Sequence, residues 1–222
     1  MSIDPIGVPA RLMAVAAGSV AIASIAHGAV RTFTMNWTPS ALTESVFVTI
    51  DNLNTGPTSS SSAVTGWDLQ IESSNSGSVL KFNFPPFSGP VNPGNPNPYY
   101  GLMRLPGVTT GPGASISNGT IVQQVASYAD SGPVTFGGGA GDWRLNSVNI
   151  FGFRFRSPSS GTTQAIHYGY GRIFVGATPG QFRLIELSYQ ETAGAALTVV
   201  PGPGALAVMA GAAILGRGRR RR

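Results

Sequence analysis

The chain has 222 residues, of which only 10% are charged, with 30 glycines, 17 prolines and no cysteine. The lack of cysteine excludes disulfides, thiolate nucleophiles and cysteine-ligated zinc, and the turn-rich composition favours short strands over long helices. The net charge of +5 would suit a nucleic-acid-binding protein. Between residues 29 and 198, however, eight basic residues are balanced by eight acidic ones. The excess charge belongs to the two ends, and we expect no nucleic-acid partner.

The first 28 residues have the layout of a signal peptide. Arg11 precedes a mostly apolar, alanine-rich stretch at residues 12–25, and small residues follow at 26–29. The apolar stretch is shorter than the roughly 20 residues that span a bilayer. We predict export with cleavage after Gly28. Cleavage after Ala26 and an uncleaved anchoring helix are the alternatives.

Residues 29–198 are predicted to form one all-β domain, because apolar and polar residues alternate between clusters of Gly, Pro, Asn and Ser. In the clearest segment, Phe151, Phe153 and Phe155 share one face, which is typical of burial against a second sheet. The expected architecture is an antiparallel β-sandwich or jelly roll. The predicted strands are residues 32–37, 45–50, 65–71, 78–84, 123–128, 148–156, 165–175 and 182–189.

No local motif identifies an active site, so we expect a non-enzymatic protein without cofactor or metal. His167 lacks nucleophile-elbow spacing nearby. Residues 51–56 begin like a calcium loop, but no glutamate completes it. The glycine-rich residues 137–142 lack the lysine of a phosphate-binding loop. A glycoside hydrolase with two carboxylates in a cleft is left open, because the sequence does not show which acids meet in space.

Aromatic residues flank a loop at residues 85–98 that contains six prolines. Phe87, Tyr99 and Tyr100 are candidates for stacking on sugar rings at the rim of a sandwich. The alternative is that these rings plug the edge of the sandwich. A lectin-like module that binds envelope or matrix polysaccharide is therefore the second functional hypothesis.

Residues 199–222 have the pattern of a membrane-anchoring sorting signal. A motif of Val200, Pro201, Gly202 and Pro203 precedes an uncharged run at 204–216. As a helix this run would be about 20 Å long, against about 30 Å for a bilayer core. The retention cluster that follows is Arg217, Arg219, Arg220, Arg221 and Arg222. The positive-inside bias places these arginines in the cytoplasm and the body outside.

Together, the signal peptide, proline motif, short apolar helix and arginine cluster resemble the PEP-CTERM sorting signal, with Gly202 where a glutamate is common. The aromatic-glycine-aromatic segment at 167–176 and the segment at 184–197 are similar to the last strands of many PEP-CTERM proteins. The resemblance implies an exported cell-envelope or surface protein. Its partners would be the export machinery, an exosortase-type protease and the membrane. A plain membrane anchor is the alternative to processing.

Overall fold

The computed structural model describes residues 29–41, 44–51, 56–60, 64, 66–85, 98–157 and 165–202. These residues form thirteen β-strands and no helix, which confirms the all-β prediction for this part of the chain. The predicted signal and C-terminal helices lie outside it. The strands are β1 (Val30–Trp37), β2 (Ser45–Val48), β3 (Pro57–Thr58), β4 (Leu69–Ser74), β5 (Val79–Asn83), β6 (Gly101–Met103), β7 (Ile121–Val122), β8 (Tyr128–Ala129), β9 (Gly132–Pro133), β10 (Ser147–Arg156), β11 (Ile166–Val175), β12 (Phe182–Gln190) and β13 (Leu197–Thr198).

The strands are arranged in three antiparallel sheets. A six-stranded sheet has the order β1-β12-β11-β10-β6-β8, and a five-stranded sheet has the order β3-β2-β4-β5-β9. The third sheet is the pair β13-β7. Within the described residues, no helix is long and apolar enough to cross a membrane.

One hydrophobic cluster is shared by the two large sheets. Phe151, Phe153 and Phe155 of β10 are fully buried in it, as their shared face predicts. Phe82 of the five-stranded sheet lies with its ring centroid 5.1 Å from that of Phe151. Trp143 is also fully buried and packs on both of these rings. The alternation of apolar and polar residues along β10 therefore identifies correctly which side chains face the core.

Two glycines of β11 make room for the β10 rings. A Cβ atom at Gly169 would lie 2.4 Å from Cζ of Phe153, and one at Gly171 would lie 2.3 Å from Cζ of Phe151. Both separations are too short for carbon atoms, so the glycines are required by the rings that lie over them. The aromatic-glycine-aromatic pattern thus reflects a strand with glycines on its inner face and tyrosines on its outer face.

The outer face of the six-stranded sheet is covered by a second, smaller cluster. It contains Tyr168 and Tyr170 of β11, Val122 of β7, and Leu197 and Val199 at the C-terminal end of the body. The five-stranded sheet lies on one face of the six-stranded sheet and the small sheet lies on the other. The β11 strand is consequently buried on both faces.

Two predicted strands differ from the structure. Residues 123–128 are not one strand, because β7 ends at Val122 and a turn closed by the Ala126 N–H to the Gln123 carbonyl separates it from β8. The predicted strand at 65–71 begins only at Leu69. Before it, the Asp68 carboxylate accepts the Ile50 backbone N–H at 2.7 Å. A local turn therefore interrupts the predicted strand at 123–128, whereas the residue before β4 is held by a side-chain bond to a segment 18 residues away.

Candidate functional site

The C-terminal end of the body lies against the outer face of the six-stranded sheet. Val199 is buried, its N–H donates to the Thr120 carbonyl at 2.9 Å, and its carbonyl accepts the Gly119 N–H at 2.8 Å. These bonds continue the pairing of β13 with β7. The segment that precedes the proline motif is therefore part of the folded body.

A buried ion pair holds the next residues. The Arg172 guanidinium donates to the Glu186 carboxylate and to the Val200 carbonyl. The side chains of Arg172 and Glu186 are only 9% and 7% exposed. A Cβ atom built on Gly202 would lie 3.6 Å from Cζ of Arg172, so Gly202 packs beside the guanidinium. Arg172 thereby positions the start of the predicted sorting motif.

Only some of the predicted sorting residues belong to the part of the chain that the structure describes. Val200, Pro201 and Gly202 lie within it, at the Arg172 contact. Pro203 and the arginine cluster lie outside it.

The structure describes two of the three residues of the predicted glycan-binding rim. Tyr99 and Tyr100 are described, whereas Phe87 is not. The guanidinium carbon of Arg156 lies 5.4 Å from the centroid of the Tyr99 ring, in a cation–π contact. Tyr100 instead packs against the main core, and its hydroxyl group lies 3.4 Å from Asp68 and 3.5 Å from the Arg156 carbonyl. Of these two rings, Tyr99 lies beside an exposed cation and Tyr100 packs on the core.

Asp68 is the most perturbed carboxyl group with a resolved pKa. Burial raises its pKa to about 7, and the negative charge of Asp51 adds to this effect. Hydrogen bonds from the Ile50 N–H and the Tyr100 hydroxyl act in the opposite direction. Burial also raises the pKa of Tyr100, and the charge of Asp68 raises it further. Because Asp68 is only 3% exposed, its carboxyl group is not presented to a polysaccharide chain.

The remaining residues that carry potential chemistry have structural contacts. The buried His167 ring packs on Phe155 and Tyr189, and its Nδ1 is hydrogen-bonded to the Gln190 carbonyl at 2.8 Å. In the glycine-rich segment, Asp142 accepts the Gly139 N–H at 2.9 Å and closes a turn.

The partial calcium loop cannot be followed through the structure, because residues 52–55 lie outside the described chain. Among the residues that are described, no three His, Asp or Glu side chains form a metal-binding group.

The sequence alone does not identify Arg172, Glu186 and Asp68 as residues of the candidate site. Alternation along β11 does place Arg172 on the same face as Tyr168 and Tyr170. That Glu186 is its partner depends on the register between β11 and β12, in which Arg172 lies opposite Glu186 and a bulge comes directly after this pair. No signal in the sequence reports that register.

No protein-family model, curated protein or solved structure matches this chain.

Proposed function

We propose that this chain is an exported, non-enzymatic protein of the cell envelope, anchored and sorted through residues 199–222. Its body would be a β-sandwich displayed outside the membrane. Before processing, the run at 204–216 would lie in the bilayer and the arginines that follow would be held on the cytoplasmic side. An exosortase-type protease would recognise Val200–Pro203, in line with the PEP-CTERM resemblance.

The observation that carries this proposal is the way in which Arg172 fixes the end of the body. Its guanidinium binds the Val200 carbonyl and packs beside Gly202. The folded part of the chain therefore includes the first residues of the proline motif. A protein attached at this point would hold its body at a defined place relative to the membrane.

The sandwich is supported by the core. Residues of the six-stranded and five-stranded sheets belong to one apolar cluster, and aromatic rings from both sheets are in contact within it. Two antiparallel sheets that share such a layer are the usual arrangement of a β-sandwich. The non-enzymatic proposal is supported by the use of His167 and Asp68 in buried contacts.

The test is fractionation of the producing cells. We expect wild-type protein in the envelope fraction, and a variant lacking residues 204–222 in the soluble exported fraction. Replacing the arginines of the retention cluster with lysines preserves their charge and is the matched control, which should stay in the envelope. Persistence of the deletion variant in the envelope would contradict the proposal.

A second candidate function is polysaccharide binding at Tyr99. The observation in its favour is the exposed Arg156 guanidinium beside the Tyr99 ring. A tyrosine face can stack on a sugar ring, and a guanidinium can pair with the carboxylate of an acidic sugar. This pairing favours a polysaccharide that contains uronic acids.

Affinity electrophoresis in gels containing neutral or uronic-acid polysaccharide tests this second function. Tyr99→Ala and Arg156→Ala should each abolish retardation in the acidic gel, whereas Tyr99→Phe, which keeps the ring, should not. Equal mobility of wild type in gels with and without polysaccharide would rule it out. Tyr100 is unsuitable for this test because its hydroxyl group contacts the buried Asp68.

A further inference from the structure

Exposed apolar and cationic side chains lie side by side on the outer face of the six-stranded sheet, next to the Arg172 contact. Val148 of β10, Phe174 of β11 and Arg183 of β12 form one row across the outer face of the six-stranded sheet, because Phe174 is the register partner of the other two. Val148 is 49% exposed, Phe174 is partly exposed and Arg183 is exposed. Such a row is unusual beside a sheet face that is otherwise covered.

The loop before β10 adds to this row. Arg144 and Leu145 are exposed, and the next residue, Asn146, donates its N–H to the Gly176 carbonyl at the end of β11. Val200, which is half exposed, adds a further apolar side chain. We define the exit surface as Arg144, Leu145, Val148, Phe174, Arg183 and Val200.

The course of the C-terminal segment leads to this surface. Leu197 and Val199 pack with Tyr168 and Tyr170, and Val200 and Gly202 then contact Arg172. Phe174 is the next outward-facing residue of β11, about 7 Å beyond Arg172 at roughly 3.3 Å per residue. At Val200 and Gly202 the chain has therefore approached the exposed row.

A cavity of about 580 Å³ lies beside the same row. Phe174 and Arg183 line it together with Pro39, Ala41 and Phe182. Its volume is within the range of small-molecule sites, and its walls combine apolar side chains with one cation. The nearby carboxylate of Glu44 accepts the N–H and hydroxyl of Ser40, which also lines the cavity.

The length of the apolar run explains why such a surface would be needed. If the 13 residues at 204–216 form the proposed membrane helix, that helix is about 10 Å shorter than a bilayer core of about 30 Å. Only Pro203 separates this run from Gly202. A body attached by so short a connection has to rest on the headgroup layer, and the part that rests there is the part from which the chain leaves.

We propose that the exit surface is a membrane-contact surface that binds the headgroup layer of a bilayer containing anionic phospholipids. Arg144 and Arg183 pair with lipid phosphates, and Val148, Phe174 and Val200 contact the apolar boundary below them. This inference rests on the proposed function, because the short anchor is what draws the body to the bilayer. It adds a contact between the body and the bilayer that forms only while the tail holds the body there, so it does not retain the variant lacking residues 204–222.

The test uses the full chain reconstituted in vesicles of phosphatidylcholine and phosphatidylglycerol. The chain contains no cysteine, so a single cysteine can carry an environment-sensitive fluorophore. Val148→Cys places the probe on the exit surface. Val125→Cys is the matched control, because Val125 is 84% exposed and lies near Tyr128, whose ring packs on Arg154. Arg154 is about 20 Å from Val148 along β10 at roughly 3.3 Å per residue.

We expect lipids brominated near the headgroup to quench the probe at 148 and to leave the probe at 125 unquenched. Arg183→Ser should weaken the quenching at 148. Arg156→Ser, which removes an exposed arginine at the other end of β10, should not weaken it.

The outcomes separate the two proposals. If the chain floats with the vesicles but neither probe is quenched, the exit surface does not bind lipid, while anchoring by the tail stands. Equal quenching of the two probes, or quenching at 148 that is insensitive to Arg183→Ser, also overturns the inference. If the chain does not float with the vesicles at all, both the membrane anchor and the membrane-contact surface are wrong.

Discussion

Glu186→Gln tests the buried ion pair at the end of the body. The substitution keeps the size of the side chain and removes its charge, which leaves the buried Arg172 guanidinium without a counter-ion. Breaking one partner of a buried pair typically costs about 3–5 kcal/mol. Arg172 keeps its bond to the Val200 carbonyl, so we expect the free energy of unfolding to fall by about 3 kcal/mol, at the lower end of that range.

A second glutamate–arginine pair provides the matched control. Glu191 binds Arg31 at the surface, with side chains 36% and 52% exposed. Exposed pairs contribute about 0–1 kcal/mol, so Glu191→Gln should change the free energy of unfolding by no more than that. The assay is urea unfolding of the full chain in detergent, followed by the fluorescence of tryptophan, since Trp143 is fully buried. Equal effects of the two substitutions would refute the role given to the Arg172–Glu186 pair.

Two further predictions concern the core and the pH dependence of stability. Gly171→Ala should destabilise the fold by about 1–3 kcal/mol, because the new Cβ atom overlaps the Phe151 ring. Gly138→Ala is the control in the same unfolding assay, since no atom lies within 4 Å of its new Cβ atom. Equal effects of the two substitutions would contradict the packing argument. Because the pKa of Asp68 is raised from 3.8 to about 7 in the folded state, the folded state binds more protons between these values. Its stability should be greatest at the acidic end and fall by up to about 1.4 kcal/mol per pH unit as pH rises through this window. Asp68→Asn should flatten that dependence in urea titrations between pH 4 and 8, and an unchanged slope would show that Asp68 is not its source.

Much of the large-sheet architecture could be predicted from local patterns. The long strands β10, β11 and β12 are visible because their alternation extends over nine or ten residues. Strands of two or three residues, such as β6, β8 and β9, carry no such signal. They exist because of their pairing with distant strands, and a local window does not contain that information.

In the candidate site, too, some features can be predicted from local sequence and others cannot. The proline motif and the arginines each lie within a few consecutive residues of the sequence, so composition and order are enough to single them out. The Arg172–Glu186 pair joins two strands through a register with a bulge. Asp68 acquires its high pKa from burial and, to a lesser extent, from the negative charge of Asp51. Burial and register are properties of the tertiary structure, and the residue types alone do not specify them.

The central claim is that residues 199–222 are a processed sorting signal, and the intact mass of the protein isolated from its native envelope tests it most directly. We expect a mature chain that lacks both the signal peptide and the arginine cluster, and we expect a variant without residues 204–222 to be lost from the envelope. A mature chain that still carries Arg217 and Arg219–Arg222 would contradict processing and show that the segment is a plain anchor.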